Sequence, residues 1–287
     1  MNNFNLEEEE REGYLVSAKV KKLWKVELDM LEKVLDICDK NNIKYFASYG
    51  TLLGTVRHHG FIPWDDDIDL EMPRNDYERF KQIARKELQD PYFVQCYETE
   101  KNYDRSHIQI RNSNTTAILK TDKNNSFNKG IFMDIFPIDN VPDGVKGKIF
   151  KLRVNTFKRL INTYPVFGDE KKLKLVIKKI MKKTFFKIFD LNKILAKYEK
   201  LLSKYKDEKT KYMGLIYDGF KYPVFEREYY DEYENLSFEY LSLRCPKKYD
   251  SMLRQEYGED YMVPQKKAST HQEFFFDTEK SYLEYTK

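Results

Sequence analysis

Apolar side chains recur at Val20, Leu23, Trp24, Leu31, Val34, Leu35 and Cys38, the three-and-four spacing that gathers one face of a helix over residues 18–39, and Asn41 with Asn42 ends it. The period then shortens to two. Ile43, Tyr45 and Ala47 alternate with Lys44 and Phe46, which predicts a strand running into Gly50. From Thr51 to Arg57 the pattern is helical again, with Gly60 placed to close the short helix. Beyond Pro63 and Trp64, Ile68, Leu70 and Met72 alternate with Asp67 and Asp69. This predicts a strand with its apolar side chains in a core and its carboxylates together on the other face, joined by Asp65 if the strand starts that early.

Asn75 with Glu78 three positions on is a capping-box-like start for a helix carrying Tyr77, Phe80, Ile83, Ala84 and Leu88, stopped by Asp90-Pro91. Short strands are predicted at 92–97, 106–111 and 115–119, the last two joined as a hairpin through Asn112-Ser113-Asn114. GIFMDIFPID at 130–139 is a nearly unbroken apolar run, the pattern of a strand buried on both faces. Two apolar series follow, Ile149 to Ile161 and Leu173 to Phe189, both reading as helices with lysine outside. A tyrosine- and phenylalanine-rich tail carries a helix from Pro246 to Tyr257 closed by Gly258, then the polar loop PQKKASTHQ. Interleaved helices and strands predict an α/β (α+β) fold: a mixed sheet flanked by helices over 18–140, a basic helical segment over 141–210 and a C-terminal region over 211–287.

Composition narrows the picture. With 287 residues, 41% hydrophobic and 34% charged, the chain suits a soluble globular protein with a sizeable core. The start MNNFNLEEEERE is acidic where a signal peptide is basic and then apolar, and no apolar run approaches a membrane span, so a cytoplasmic location is the expectation. Cys38, Cys96 and Cys245 are odd in number and far apart, which points to buried small side chains rather than disulfides or a zinc site. Charge is unevenly spread: Lys146 to Lys206 holds 19 Lys and Arg against 4 Asp and Glu, a surplus of 15 in a chain of net +4. That segment is suited to an anionic membrane surface or a polyanionic acceptor, with a simply solvated lysine face as the plain alternative. No nucleic-acid-binding module is recognisable.

The candidate chemistry sits on the acidic strand. Asp65, Asp66, Asp67 and Asp69 fall within five positions, and carboxylates crowded on one face repel one another unless a cation lies between them; an all-oxygen site suits Mg²⁺ or Mn²⁺. A calcium loop of the EF-hand type fails, because Leu70 stands where its glycine is needed and Asp76 where its bidentate glutamate belongs. Asp134 interrupts an otherwise apolar strand, and an ionised carboxylate there costs several kcal/mol unless a cation or dense hydrogen bonding compensates it. Sharing a metal with Asp67 and Asp69 satisfies all three. Gly50-Thr51 ahead of a helix is a place where unpaired backbone N–H groups and a hydroxyl can hold a phosphate. Arg57 and Arg111 are candidate clamps for a diphosphate, and the aromatic tail offers rings for a quaternary ammonium or a sugar. The lone histidines His58, His59, His107 and His271 read as structural.

The runs YGTLLGTVRHHGFIPWDDDIDLEM, HIQIRNSNT, GIFMDIFPID and LRQEYGEDYMVPQKKASTH, in this order, closely resemble the LicD family of phosphocholine transferases, a branch of the nucleotidyltransferase-fold superfamily that includes fukutin-related protein. The resemblance covers roughly residues 20–140 and 222–272 and leaves out Lys146 to Lys206. It implies a nucleotidyltransferase-like core and Mg²⁺-dependent transfer of a phospho-alcohol, usually phosphocholine from CDP-choline, to a sugar hydroxyl of a lipopolysaccharide or teichoic-acid precursor. By the same resemblance the metal pair falls on Asp67 and Asp69, the preceding acidic position on Asp65, the third carboxylate on Asp134 and the phosphate contacts on Gly50 and Thr51. Asp134 or Asp65 is the candidate base, and Gln109 stands where relatives more often have lysine. Transfer of ribitol phosphate, phosphoethanolamine or a nucleotidyl group on the same fold, and a non-catalytic glycan- or membrane-binding role, remain the alternatives.

Overall fold

The computed structural model describes residues 4–101, 103–119, 126–162, 190–265 and 274–286. In chain order the N-terminal elements are β1 (Glu9–Arg11), β2 (Tyr14–Val16), α1 (Ala18–Lys40), β3 (Phe46–Ala47), α2 (Tyr49–His58), β4 (Asp69–Pro73) and α3 (Arg74–Glu87). The middle contributes β5 (Tyr92–Gln95), β6 (Ile108–Asn112), β7 (Thr116–Ile118), β8 (Ile131–Val141), α4 (Gly144–Asn162) and α5 (Leu191–Leu202). The remainder is β9 (Tyr212–Gly214), β10 (Val224–Glu226), β11 (Tyr233–Phe238), β12 (Leu241–Pro246), α6 (Tyr249–Tyr257) and β13 (Phe275–Asp277).

The axis is β8, buried along its whole length as its apolar run predicts. On one edge β4 lies parallel to it, with Asp69 opposite Asp134, and β3 follows antiparallel to β4. Its other edge is divided. β6 pairs with the first half, Gln109 opposite Asp134, and carries β5 outside it; β9 takes the second half, Asp139 opposite Gly214, and carries β10. The result is a mixed seven-stranded sheet, the α+β arrangement the pattern predicts, and it draws strands from the C-terminal region as well as from 18–140.

Alternation sorts the side chains between two cores. Leu70, Met72, Met133 and Ile135 join the cluster that holds Trp24, Leu28 and Leu31 of α1 and Tyr77 and Phe80 of α3. Phe136 and Ile138 join a second cluster with Phe150 and Val154 of α4 and Leu195 and Tyr198 of α5. At the junction of β4 and α3, Arg74 donates from Nε and Nη2 to the two oxygens of Asp139, each at 2.7 Å. All three cysteines are buried and free.

Several boundaries differ from the sequence expectations for physical reasons. The strand expected at 43–47 is only Phe46–Ala47, and the acidic strand begins at Asp69, so Asp65 to Asp67 lie in the loop before it. The short helix starts two residues early, at Tyr49 in a left-handed conformation (φ 42°), and is closed by His59 (φ 54°) rather than Gly60. α3 starts at Arg74 with Pro73 in the N-cap position, and Glu78 pairs with Lys206 instead of closing a capping box. The hairpin of 106–111 with 115–119 does not form, because both edges of β6 are already occupied by β5 and β8; β7 pairs with β13 instead. The helix expected over 173–189 and His271 lie outside the described residues.

Candidate active site

A cleft of about 470 Å³ opens over the sheet face that carries Asp69 and Asp134. Gly50, Arg57, Asp65, Asp67, Asp69 and Asp134, six of the residues singled out by sequence, line it together. The start of α2 fixes the acidic strand by two backbone ties. Thr51 Oγ1 accepts from the Asp69 N–H at 2.8 Å, and the Ser48 N–H donates to the Asp69 carbonyl at 3.0 Å. Thr51 is thereby buried and committed to Asp69 instead of lining the cleft. Ser48 occupies the N-cap position of α2 but donates its hydroxyl to Glu71 at 3.1 Å, so it does not cap the first-turn amides. Gly50 lets the Asp65 carboxylate lie against the helix start, since a Cβ at this position would meet Asp65 Oδ2 and displace it.

The loop that delivers Asp65 to Asp67 is pinned from below by Trp24, whose indole N–H donates to the Asp65 carbonyl at 3.0 Å, and Trp24 itself stacks on Phe61 at 4.6 Å. Among the described residues, Asp65, Asp66 and Asp67 place carboxylate oxygens within 4.8 Å of one another. The expected trio of Asp67, Asp69 and Asp134 does not form so tight a group, although Asp69 and Asp134 face each other across adjacent strands.

Electrostatics mark the same place. Burial, reinforced by the charges of Asp67, Asp134 and Asp65, pushes Asp69 well above the ordinary carboxylate range. Glu27 of α1, fully buried, is raised likewise by burial and then by Asp67, Asp66 and Asp65, and its Oε2 has no hydrogen-bond partner. Asp134 behaves oppositely. Burial raises it, but His107, with Nε2 at 3.0 Å from Oδ1, and then Arg105 and Gln109 outweigh burial and hold it below its usual value. Gln109 is aimed by two donors on its Oε1, Tyr103 Oη at 2.9 Å and Arg111 Nη2 at 2.6 Å.

Arg57 reaches the cleft from the last turn of α2, held by the Tyr261 carbonyl (2.6 Å) and by His58 Nδ1 (3.3 Å). Burial and then the Arg57 charge push His58 down to about 4, so it is a neutral acceptor that orients the guanidinium. Arg111 is a correction. It does not line the cleft: fully buried, it donates to Gln95, Gly130 and Gln109, and its role is to support the sheet beneath Asp134.

A family described as "LicD/FKTN/FKRP, nucleotidyltransferase domain" matches residues 42–143. The chain is also 30% identical over 247 residues to "Lipopolysaccharide cholinephosphotransferase LicD" of Haemophilus influenzae, covering 82% of this chain and 88% of that one. The chain belongs to the LicD family. Two Rickettsia relatives share parts of it: "Uncharacterized protein RP689" of R. prowazekii at 32% over 138 residues (48% of this chain, 47% of that one), and "Uncharacterized protein RT0683" of R. typhi at 46% over 54 (19% and 18%). Asp65, Asp67, Asp69 and Asp134 fall inside the LicD-matched span, whereas Asp260 and the rings of Tyr217, Tyr222, Tyr257 and Tyr261 line the cleft from outside it.

Two groups escape a sequence reading of this LicD chain, and each left a signal. His107 shares a strand face with Gln109 and Arg111 by the two-residue period, so it points where Gln109 points. Glu27 falls between Trp24 and Leu31 on the apolar stripe of α1, where an acid has no business unless something polar lies opposite.

Proposed function

We propose that this LicD-family phosphotransferase moves phosphocholine from CDP-choline to a sugar hydroxyl of a cell-surface glycan precursor of the lipopolysaccharide type, with a bound Mg²⁺ or Mn²⁺. The observation that carries the reading is the register of Asp69 opposite Asp134 under a cleft whose rim crowds Asp65, Asp66 and Asp67. The residues fit a hard divalent cation: the donors are all carboxylate oxygens, and Asp69 is driven above its ordinary range by burial and by like charges that a cation relieves. Asp67, Asp69 and Asp134 would hold it. When bound, it neutralises charge on the diphosphate and on the departing phosphate.

The chain's own groups supply the rest. Arg57 gives the cleft wall a permanent positive charge, and the first turn of α2, which no side chain caps, reaches the cleft at Gly50, where an anion can meet its amides. Tyr49, Phe136, Tyr217 and Tyr222 form one packed wall of the cleft, with Phe136 and Tyr217 stacked at 4.8 Å and Tyr49 against Tyr222 at 5.1 Å. Ring faces of this kind attract a quaternary ammonium. Asp65, which lines the cleft beside Asp67, serves as the base. It takes the proton of the acceptor hydroxyl while that oxygen attacks the phosphorus next to choline, and the bond to the CMP oxygen breaks with its electron pair leaving on CMP.

The test is nucleotide release from CDP-choline, CDP-ribitol, CDP-ethanolamine and nucleoside triphosphates offered in parallel, each with Mg²⁺ and with chelator. Release of CMP from CDP-choline, acceptor-dependent and abolished by chelator, is expected. Pyrophosphate from a triphosphate, or turnover that ignores chelator, defeats the reading.

A further inference from the structure

α4 presents two apolar faces, and among the described residues only one of them is packed against the core. Phe150, Val154 and Ile161 are buried against α5 and the second core. Val145, Ile149, Leu152 and Leu160 are exposed to 73%, 54%, 67% and 41%. At about 100° per residue these four fall in one stripe along the helix, on the side away from the buried face. Among the described residues the other exposed apolar side chains occur singly or in pairs, such as Met262 with Val263 and Phe275 with Tyr285, which is ordinary; four in line on one helix is not. The stripe has charged borders. Lys146 and Arg153 flank one side, Lys148 and Arg159 the other, all exposed, and α4 contains six basic residues and no acid between Gly144 and Asn162.

We infer that the outward face of α4 docks this protein on an anionic bilayer surface. An apolar stripe inserts among the acyl chains at the headgroup boundary while cations on both borders meet lipid phosphates, the division of labour that an interfacial helix requires. A second copy of the chain is the poorer occupant, since two such faces would bring eight border cations together. The helix is also tied to the cleft wall: Asn155 Oδ1 accepts the Phe220 N–H at 2.9 Å and Lys158 pairs with Asp218 at 2.9 Å, between Tyr217 and Tyr222. Docking therefore sets the aromatic side of the cleft beside the membrane. The inference does not depend on which alcohol is transferred.

The experiment is flotation of the full chain with phosphatidylglycerol-containing vesicles and with pure phosphatidylcholine vesicles, read across a salt series. Binding to the anionic vesicles alone, released as salt rises, is expected. Lys146→Gln with Lys148→Gln lowers partitioning roughly thirtyfold, at about 1 kcal/mol per cation, and being a surface change keeps the fold. Ile149→Glu with Leu152→Glu abolishes binding at an unchanged unfolding temperature. No binding to anionic vesicles at low salt, binding that ignores salt, or binding unaffected by the lysine pair overturns the inference. So does a dimer in light scattering that Ile149→Glu with Leu152→Glu converts to a monomer, which makes the face a self-association surface.

Discussion

Asp134 and Asp139 stand on one strand, exposed to 9% and 1%, in the same apolar run, and an odd spacing sends them to opposite faces of the sheet. Asp139 meets a cation supplied by the fold. The Asp139 carboxylate outweighs burial and holds the Arg74 guanidinium above its ordinary value, although on Asp139 itself burial outweighs the arginine and leaves that carboxyl raised. Asp134 meets a histidine, an amide, the more distant charge of Arg105 and, across the strand, a second carboxylate. One end of the β4–β8 pair is electrostatically closed and structural. The other keeps like charges together at the mouth of a cleft, a cost in folding energy that makes sense where a ligand brings the missing positive charge.

The largest break in this comparison comes from the open end. Asp67→Ala and Asp69→Ala should each cut CMP release at least roughly 10⁴-fold, about 5.4 kcal/mol of barrier, while the variants stay folded. Asp69→Asn should even raise the unfolding temperature of chelator-treated protein, since it removes a buried repulsion. Near-normal release in either alanine variant, measured at saturating Mg²⁺, sinks the metal assignment. The closed end should answer in the opposite currency. Arg74→Met leaves a carboxylate buried without its cation and should cost about 3–5 kcal/mol in denaturant unfolding, with turnover per folded molecule preserved. A loss below about 1 kcal/mol would show that Asp139 finds another partner or protonates cheaply.

The contrast also explains what the sequence discloses. Asp69 and Asp134 are legible as a pair because carboxylates in alternating or apolar strands violate the local pattern, and a violation is visible in one dimension, whereas the sequence does not show that Asp67 lies in the loop before β4. Asp139 lies in the same GIFMDIFPID run and looks no different there; only the arrival of Arg74 from the β4–α3 junction separates it from Asp134. Arg111 misleads for the same reason. An arginine on a strand near the motif suggests a ligand, and its burial under Gln95, Gln109 and Gly130 is decided by partners distant in the chain. The failed hairpin shows the limit for topology. A turn signal at Asn112-Ser113-Asn114 reports that the chain reverses, and it is silent on which edges of β6 are already taken.

A third prediction asks whether the open end is open to a cation at all. Mg²⁺ at about a hundred times its dissociation constant should stabilise the wild-type protein by about 2.7 kcal/mol, seen as a rise in unfolding temperature that Asp67→Ala abolishes and Arg74→Met retains. An equal rise in wild type and Asp67→Ala would place the ion elsewhere.

Glu256 offers the smallest effect and an intermediate case, a carboxylate neither paired like Asp139 nor gathered with others at the cleft. Burial pushes it up to about 7 from an ordinary value of 4.5, and its charge in turn helps raise Glu71, which burial already drives up beneath the Ser48 hydroxyl. A raised carboxylic acid means that the folded chain binds this proton more tightly than the unfolded one. Its favourable contribution is complete below about pH 4.5 and is lost as pH rises through 7. Glu256→Gln keeps the shape and removes the titration, so it should gain about 1 kcal/mol at roughly pH 8, about a third of what the full shift corresponds to because the side chain is only half-buried, and nothing at roughly pH 4, read as urea midpoints at both values. The same gain at both would mean that the substitution acts through packing or helix propensity in α6 and that Glu256 is better solvated than its position implies.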